Sequence, residues 1–72
     1  MNIREARNKA DTVVNVEIGG TVGKRFVKHA ERNQPIRYYD RMSPEKCGHF
    51  MILGGKEGLP GEVIWYLKRV EL

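Results

Sequence analysis

Cys47 and His49 stand two residues apart, so on an extended segment a thiol and an imidazole share one side, near enough to serve as nucleophile and base or as two metal ligands. The pair lacks company. A zinc site takes four ligands, His29 is the only other histidine, and with no second cysteine the set would have to borrow a carboxylate such as Asp40 or Glu45. For thiol chemistry Gly48 offers one backbone amide, but no pattern marks an orienting group for the imidazole or a second oxyanion donor. The acids are dispersed and adjoin bases, as Asp40 does Arg41 and Glu45 does Lys46, which favours ionised carboxylates over a raised-pKa acid. Gly19, Gly20 and Gly23 precede Lys24, yet their spacing fits neither the dinucleotide fingerprint nor a phosphate loop ending in Lys-Ser/Thr. The expectation is a protein that is not an enzyme and uses neither metal nor cofactor.

A second chemistry is better supplied. Lys24, Arg25, Lys28, His29 and Arg32 fall between residues 21 and 33; at helical spacing Lys24, Lys28 and Arg32 form one outer stripe, with Arg25 and His29 beside it. Further on, Tyr39 lies between Arg37 and Arg41, an aromatic ring with a guanidinium on either side. On a sheet surface that arrangement stacks an unpaired base while the arginines meet phosphates. Tyr66 beside Lys68 repeats the theme near the C-terminus. The chemistry common to these groups is recognition of an anionic polymer.

Charge agrees in sign and is modest in size: 13 Lys and Arg against 9 Asp and Glu give +4 in 72 residues. Such an excess speeds encounter with anionic surfaces. Glu5, Glu17, Glu31, Glu57, Glu62 and Glu71 are nevertheless scattered among the bases, so the net charge alone does not define a binding face. One cysteine cannot close an intrachain disulfide, which excludes a cross-linked secreted mini-domain. Met1 is followed by the charged run Asn2 to Arg7, no segment has the length of a membrane span, and a cytoplasmic protein without a membrane partner is expected.

The elements that must position these groups follow from periodicity. Residues 1–11 read as a short helix or a loose basic arm carrying Arg4, Arg7 and Lys9. Thr12 to Ile18, rich in β-branched residues, predicts a strand closed by Gly19 and Gly20. Thr21 is placed to cap a helix in which Val22, Phe26 and Ala30, with Val27 beside them, form the buried face, and Asn33 with Pro35 ends it. Ile36 to Arg41 predicts a strand, 42–48 a connection with one turn at Ser43 to Glu45, and His49 to Leu53 a buried strand stopped by Gly54 and Gly55. The run 54–61 reads as a glycine-rich loop. Glu62 to Val70 reads as a strand, with Val63, Trp65 and Leu67 inward and Ile64, Tyr66 and Lys68 outward, although Val63, Leu67 and Val70 also suit one helical face.

The fold expected is α+β, one 72-residue domain with an amphipathic helix packed on a small antiparallel sheet of three or four strands in the order β, α, β, β, β; a small all-β barrel is the alternative. So short a chain has little core to spare, which favours association with a partner or with itself as a homo-oligomer. The function expected is a small basic nucleic-acid-binding accessory protein that contacts DNA or RNA phosphates through Lys24, Arg25, Lys28, Arg32, Arg37 and Arg41 and stacks through Tyr39 and Tyr66. The alternative is a regulator or inhibitor docking on an acidic protein surface, anchored by Trp65, Tyr66 and the glycine-rich loop.

Overall fold

The computed structural model describes residues 1–72. In chain order the elements are α1 (Ile3–Lys9), β1 (Thr12–Glu17), α2 (Thr21–Arg32), β2 (Ile36–Tyr38), a 3-10 turn (Pro44–Lys46), β3 (Gly48–Glu57) and β4 (Glu62–Arg69). The four strands form one antiparallel sheet in the order β1-β4-β3-β2. It is α+β, a helix packed on a curled sheet that makes half a barrel and does not close, so the barrel alternative is set aside.

Alternation along the strands divides the sheet into two faces. Val14, Val16, Val63, Trp65, Leu67, Ile36 and Phe50 share the inner face, where α2 lays Phe26 against them. The Phe26 ring centroid lies 5.5 Å from that of Trp65 and 5.6 Å from that of Tyr38, the latter edge to face. The inward set read for β4 is therefore the one observed. The helical face of α2 is rotated from the one expected: Gly23 and Phe26 are buried with Ala30 half-buried, while Val22 and Val27 are exposed. Gly23 permits this orientation, because a Cβ there would overlap the carbonyl oxygen of Glu17 and lie 2.9 Å from that of Ile18. Only a glycine lets the helix sit this close to the end of β1. The cap also differs, since Gly20 is the N-cap and Thr21 the first helical residue. At the other end Asn33 takes the left-handed conformation (φ 52°, ψ 48°), a helix-ending geometry in which its N–H returns to Ala30 and His29 carbonyls.

The outer face is covered by α1. Asn2 caps this helix by accepting from the Glu5 N–H at 2.9 Å and in turn donating to the Glu5 carboxylate. Ala6 is fully buried against Gly54, and α1 touches both β3 and β4. Residues 3–9 thus form the helix rather than the loose arm. The same contact corrects the reading of Gly54 and Gly55 as a strand end. β3 continues through them to Glu57, with Leu53 as an extra residue in a bulge between Ile52 and Gly54. Gly54 makes room for Ala6 on one face, and a Cβ on Gly55 would come within 2.7 Å of the Trp65 ring on the other. The true hairpin connection is the short run Gly58 to Gly61.

Asp11 fastens the start of β1 to the end of β4. Its two carboxylate oxygens each accept from the Arg69 backbone N–H at 3.1 Å, the Thr12 hydroxyl donates at 2.9 Å, and Lys68 Nζ stands 3.7 Å away. Desolvation pushes this carboxyl's pKa up, but the Arg69 N–H, the Thr12 hydroxyl and the charges of Lys68 and Arg69 outweigh it and hold the pKa below its ordinary value. A carboxylate lowered in this way stabilises the fold above its unfolded pKa of about 3.9, and that contribution is lost as pH falls through the lower folded value. Urea unfolding at pH 7 should therefore show Asp11→Asn less stable than the parent, with the difference shrinking toward pH 3. A difference independent of pH would contradict this ionic role.

Candidate nucleic-acid interface

Lys24, Arg25, Lys28 and Arg32 are all exposed on α2, on the side away from Phe26. This follows from geometry: with Gly23, Phe26 and Ala30 inward, residues 24, 28 and 32 take the opposite stripe. His29, half-buried, hydrogen-bonds through Nδ1 to the Arg25 carbonyl at 2.8 Å and is spent inside the helix. Arg25 reaches across to β2, donating from Nη2 to the Arg37 carbonyl at 3.3 Å. That bond joins the basic side of α2 to the edge strand, where Arg37 is itself exposed. Five of the six expected basic contacts therefore belong to two neighbouring elements, Lys24, Arg25, Lys28 and Arg32 to α2 and Arg37 to β2.

Beyond Tyr38 the chain leaves the strand three residues earlier than expected. Asp40 starts a turn, its carboxylate accepting from the Met42 N–H at 2.9 Å and its own N–H meeting Cys47 Sγ at 3.2 Å. Tyr39 and Arg41 consequently lie in a connection and not on a strand face; both are exposed, Tyr39 at 71%. A ring so open is free to stack. Tyr66 is placed oppositely: it is only 6% exposed, on the outer sheet face across from Gly54 and beneath α1. It has no ring face to offer a base, and it leaves the proposed surface. Strand alternation put Tyr66 outward correctly; what the sequence did not reveal was that α1 would cover it. Trp65, at 8%, is equally enclosed, so neither aromatic anchor expected for an acidic protein partner stands on the surface.

Cys47 and His49 have different neighbours on either side of Gly48. Gly48 between them has φ 143°, which breaks the extended alternation that would align their side chains. The thiol faces the Asp40 backbone, and His49 belongs to β3 opposite Arg37. Nearby, Arg69 holds the connection in place: Nη1 donates to the Cys47 carbonyl and Nη2 to the Glu45 carbonyl, each at 2.7 Å, while the guanidinium covers the Phe50 ring at 4.7 Å.

A cavity of about 400 Å³ opens where the half-barrel fails to close, between β1 and the end of β2. Its walls are Asn15 to Glu17 of β1, the turn and first residues of α2 from Gly20 to Gly23, and Tyr38 with Tyr39. The pKa of Tyr38 is raised by burial and, secondarily, by the neighbouring Asp40 and Cys47, so its phenol keeps its proton. Sequence reasoning found Tyr39 but had no means of seeing this cavity, because it joins segments whose proximity depends on the curl of the sheet. No helix is long and apolar enough to cross a membrane. Comparison with protein-family models, curated proteins and solved structures finds no match to this chain.

Proposed function

We propose that the protein is a nucleic-acid-binding accessory protein, gripping the phosphate backbone with Lys24, Arg25, Lys28 and Arg32 of α2, with Arg37 of β2 and with Arg41 of the connection that follows it. The observation that carries this reading is the Arg25 to Arg37 hydrogen bond, which brings the basic side of α2 against the backbone of the edge strand that bears Arg37. Tyr39 adds an open aromatic ring beside it. Contacts of this kind supply affinity through counterion release and little sequence preference. Binding is therefore expected to weaken steeply as salt rises.

Fluorescence anisotropy with labelled single- and double-stranded DNA and RNA, repeated across a salt series, tests the reading. Replacing both Lys24 and Lys28 by Glu leaves the buried face of α2 untouched, so the double variant should fold. It should bind at least about tenfold more weakly, with a shallower salt dependence, because each lost phosphate contact removes about one unit of slope. Undiminished binding by the folded variant, or association indifferent to salt, would refute this surface.

A further inference from the structure

We propose that the cavity in the open seam of the half-barrel receives one unpaired guanine of a single strand, stacked on Tyr39 and read by the Glu17 carboxylate. The inference rests on the nucleic-acid reading of the basic face and adds a base-recognition site to it. Position is the first argument. The cavity wall from Gly20 to Gly23 runs directly into Lys24 and Arg25, and the wall formed by Tyr38 and Tyr39 lies between Arg37 and Arg41. A strand whose phosphates follow those basic residues passes over the mouth of the cavity, within reach of turning one base into it.

The lining chemistry is the second argument. At about 400 Å³ the cavity lies within the range of small-molecule sites. Tyr39 supplies an exposed ring, and base stacking on such a ring is tolerant of base type. Selection comes from β1. Glu17 Oε2 lies by Gly20, 3.9 Å from where a Cβ on that residue would be, so the carboxylate is at the cavity wall. It is not consumed by an ion pair, since the one salt bridge in the protein joins Lys68 to Asp11.

An ionised carboxylate only accepts hydrogen bonds, and its two oxygens match two parallel donors. Among the bases guanine alone presents two adjacent donors on its pairing edge, N1–H and the 2-amino group. Adenine and cytosine place an acceptor nitrogen beside their amino group, and thymine or uracil sets one N–H between two carbonyls, so each would bring a lone pair against the carboxylate. Asn15, on the same wall and two residues before Glu17, has an amide that donates, the complement of the guanine O6 acceptor.

The test uses thymidine 11-mers with a central guanine, adenine, cytosine or thymine, and the corresponding uridine ribo-oligomers, measured by anisotropy at one fixed salt concentration. The guanine oligomer should bind about tenfold tighter than the other three, the scale of a bidentate base contact. Glu17→Gln, which leaves one acceptor oxygen, should abolish that preference while retaining affinity for the thymine oligomer. Tyr39→Ala should weaken all four about tenfold. Both positions are exposed, and circular dichroism of each variant verifies folding; if Tyr39→Ala does not fold, Glu17→Gln decides. Equal affinity for the four oligomers, with Lys24 and Lys28 still required, would overturn the guanine site and leave the basic face standing.

If no oligomer binds, the basic-face reading fails, and guanosine without phosphate tests the cavity alone. Shifts of the Asn15 and Tyr39 amide resonances on titration, absent in Glu17→Gln, would support the site; no shifts would overturn it. The deoxy and ribo series separate the two sugar chemistries.

Discussion

Gly23→Ala should destabilise the protein by about 1–3 kcal/mol, although alanine is the better helix former by about 1 kcal/mol. The two effects oppose each other, and geometry decides between them. A methyl group at position 23 would overlap the Glu17 carbonyl oxygen and come within 2.9 Å of the Ile18 carbonyl oxygen. Both obstacles are backbone at the end of β1, which is held by pairing with β4, so neither can swing aside as a long side chain would. The helix itself must lift, drawing Phe26 from Trp65. Gly19→Ala is the control, because a Cβ there meets nothing within 4 Å. Thermal or urea unfolding of both variants should show a large loss for Gly23→Ala and little change for Gly19→Ala. Equal stability of the two would mean that α2 does not depend on this close approach.

The same glycine explains part of what the sequence could and could not disclose. Helical periodicity located α2 to within a residue at each end, and it marked Lys24, Lys28 and Arg32 as outward, because apolar and basic positions both recur at three- and four-residue spacing. It misjudged which neighbours of Phe26 lie inward, since a glycine carries no hydropathy signal and its value here is the absence of a side chain. Gly54 and Gly55 misled in the same manner. Read locally they end a strand; in the fold they sit inside β3 because Ala6 and Trp65 press on them from opposite faces. Contacts between residues so distant in sequence leave no periodic trace.

Of the candidate site, the residue types were legible and the assembly was not. Arg25, Arg37, Tyr39 and Arg41 stood out by charge and aromaticity, but nothing in their spacing shows that Arg25 crosses to the Arg37 carbonyl. Tyr66 illustrates the converse. Period-two alternation gave its side of the sheet, yet burial depended on α1, a seven-residue helix with a weak apolar pattern whose one buried residue is Ala6. Glu17 and Asn15 carried no signal as site residues because their neighbours in space come from the turn before α2 and from the far edge of the sheet. A half-barrel's seam is a product of twist and curl, which set how near two edges approach without altering either strand's residue pattern.

Phe26→Ala should lower the stability by about 3–5 kcal/mol, whereas Phe26→Leu should lose far less. Phe26 is fully buried and is the aromatic contact between α2 and the sheet, with ring centroids 5.5 Å from Trp65 and 5.6 Å from Tyr38. Truncating such a phenylalanine to alanine costs about 3–5 kcal/mol, the sum of lost apolar burial and the cavity left behind. A chain of this length has a total stability of about 4–11 kcal/mol, so the substitution removes between about a quarter and all of it. Substitute contacts are scarce: Val22 and Val27 of α2 point largely outward, and the buried Trp65 indole Nε1 has no hydrogen-bond partner to anchor the ring. Leucine fills much of the space and keeps most of the burial, which should limit its cost to about 1–2 kcal/mol. Circular dichroism melts of the two variants measure the difference. Because Phe26 also sets the distance from α2 to Tyr38, folded Phe26→Leu should retain the Arg25 and Arg37 surface and its salt-dependent binding; a folded Phe26→Ala of near-parent stability would show that the helix is held to the sheet by something other than this ring.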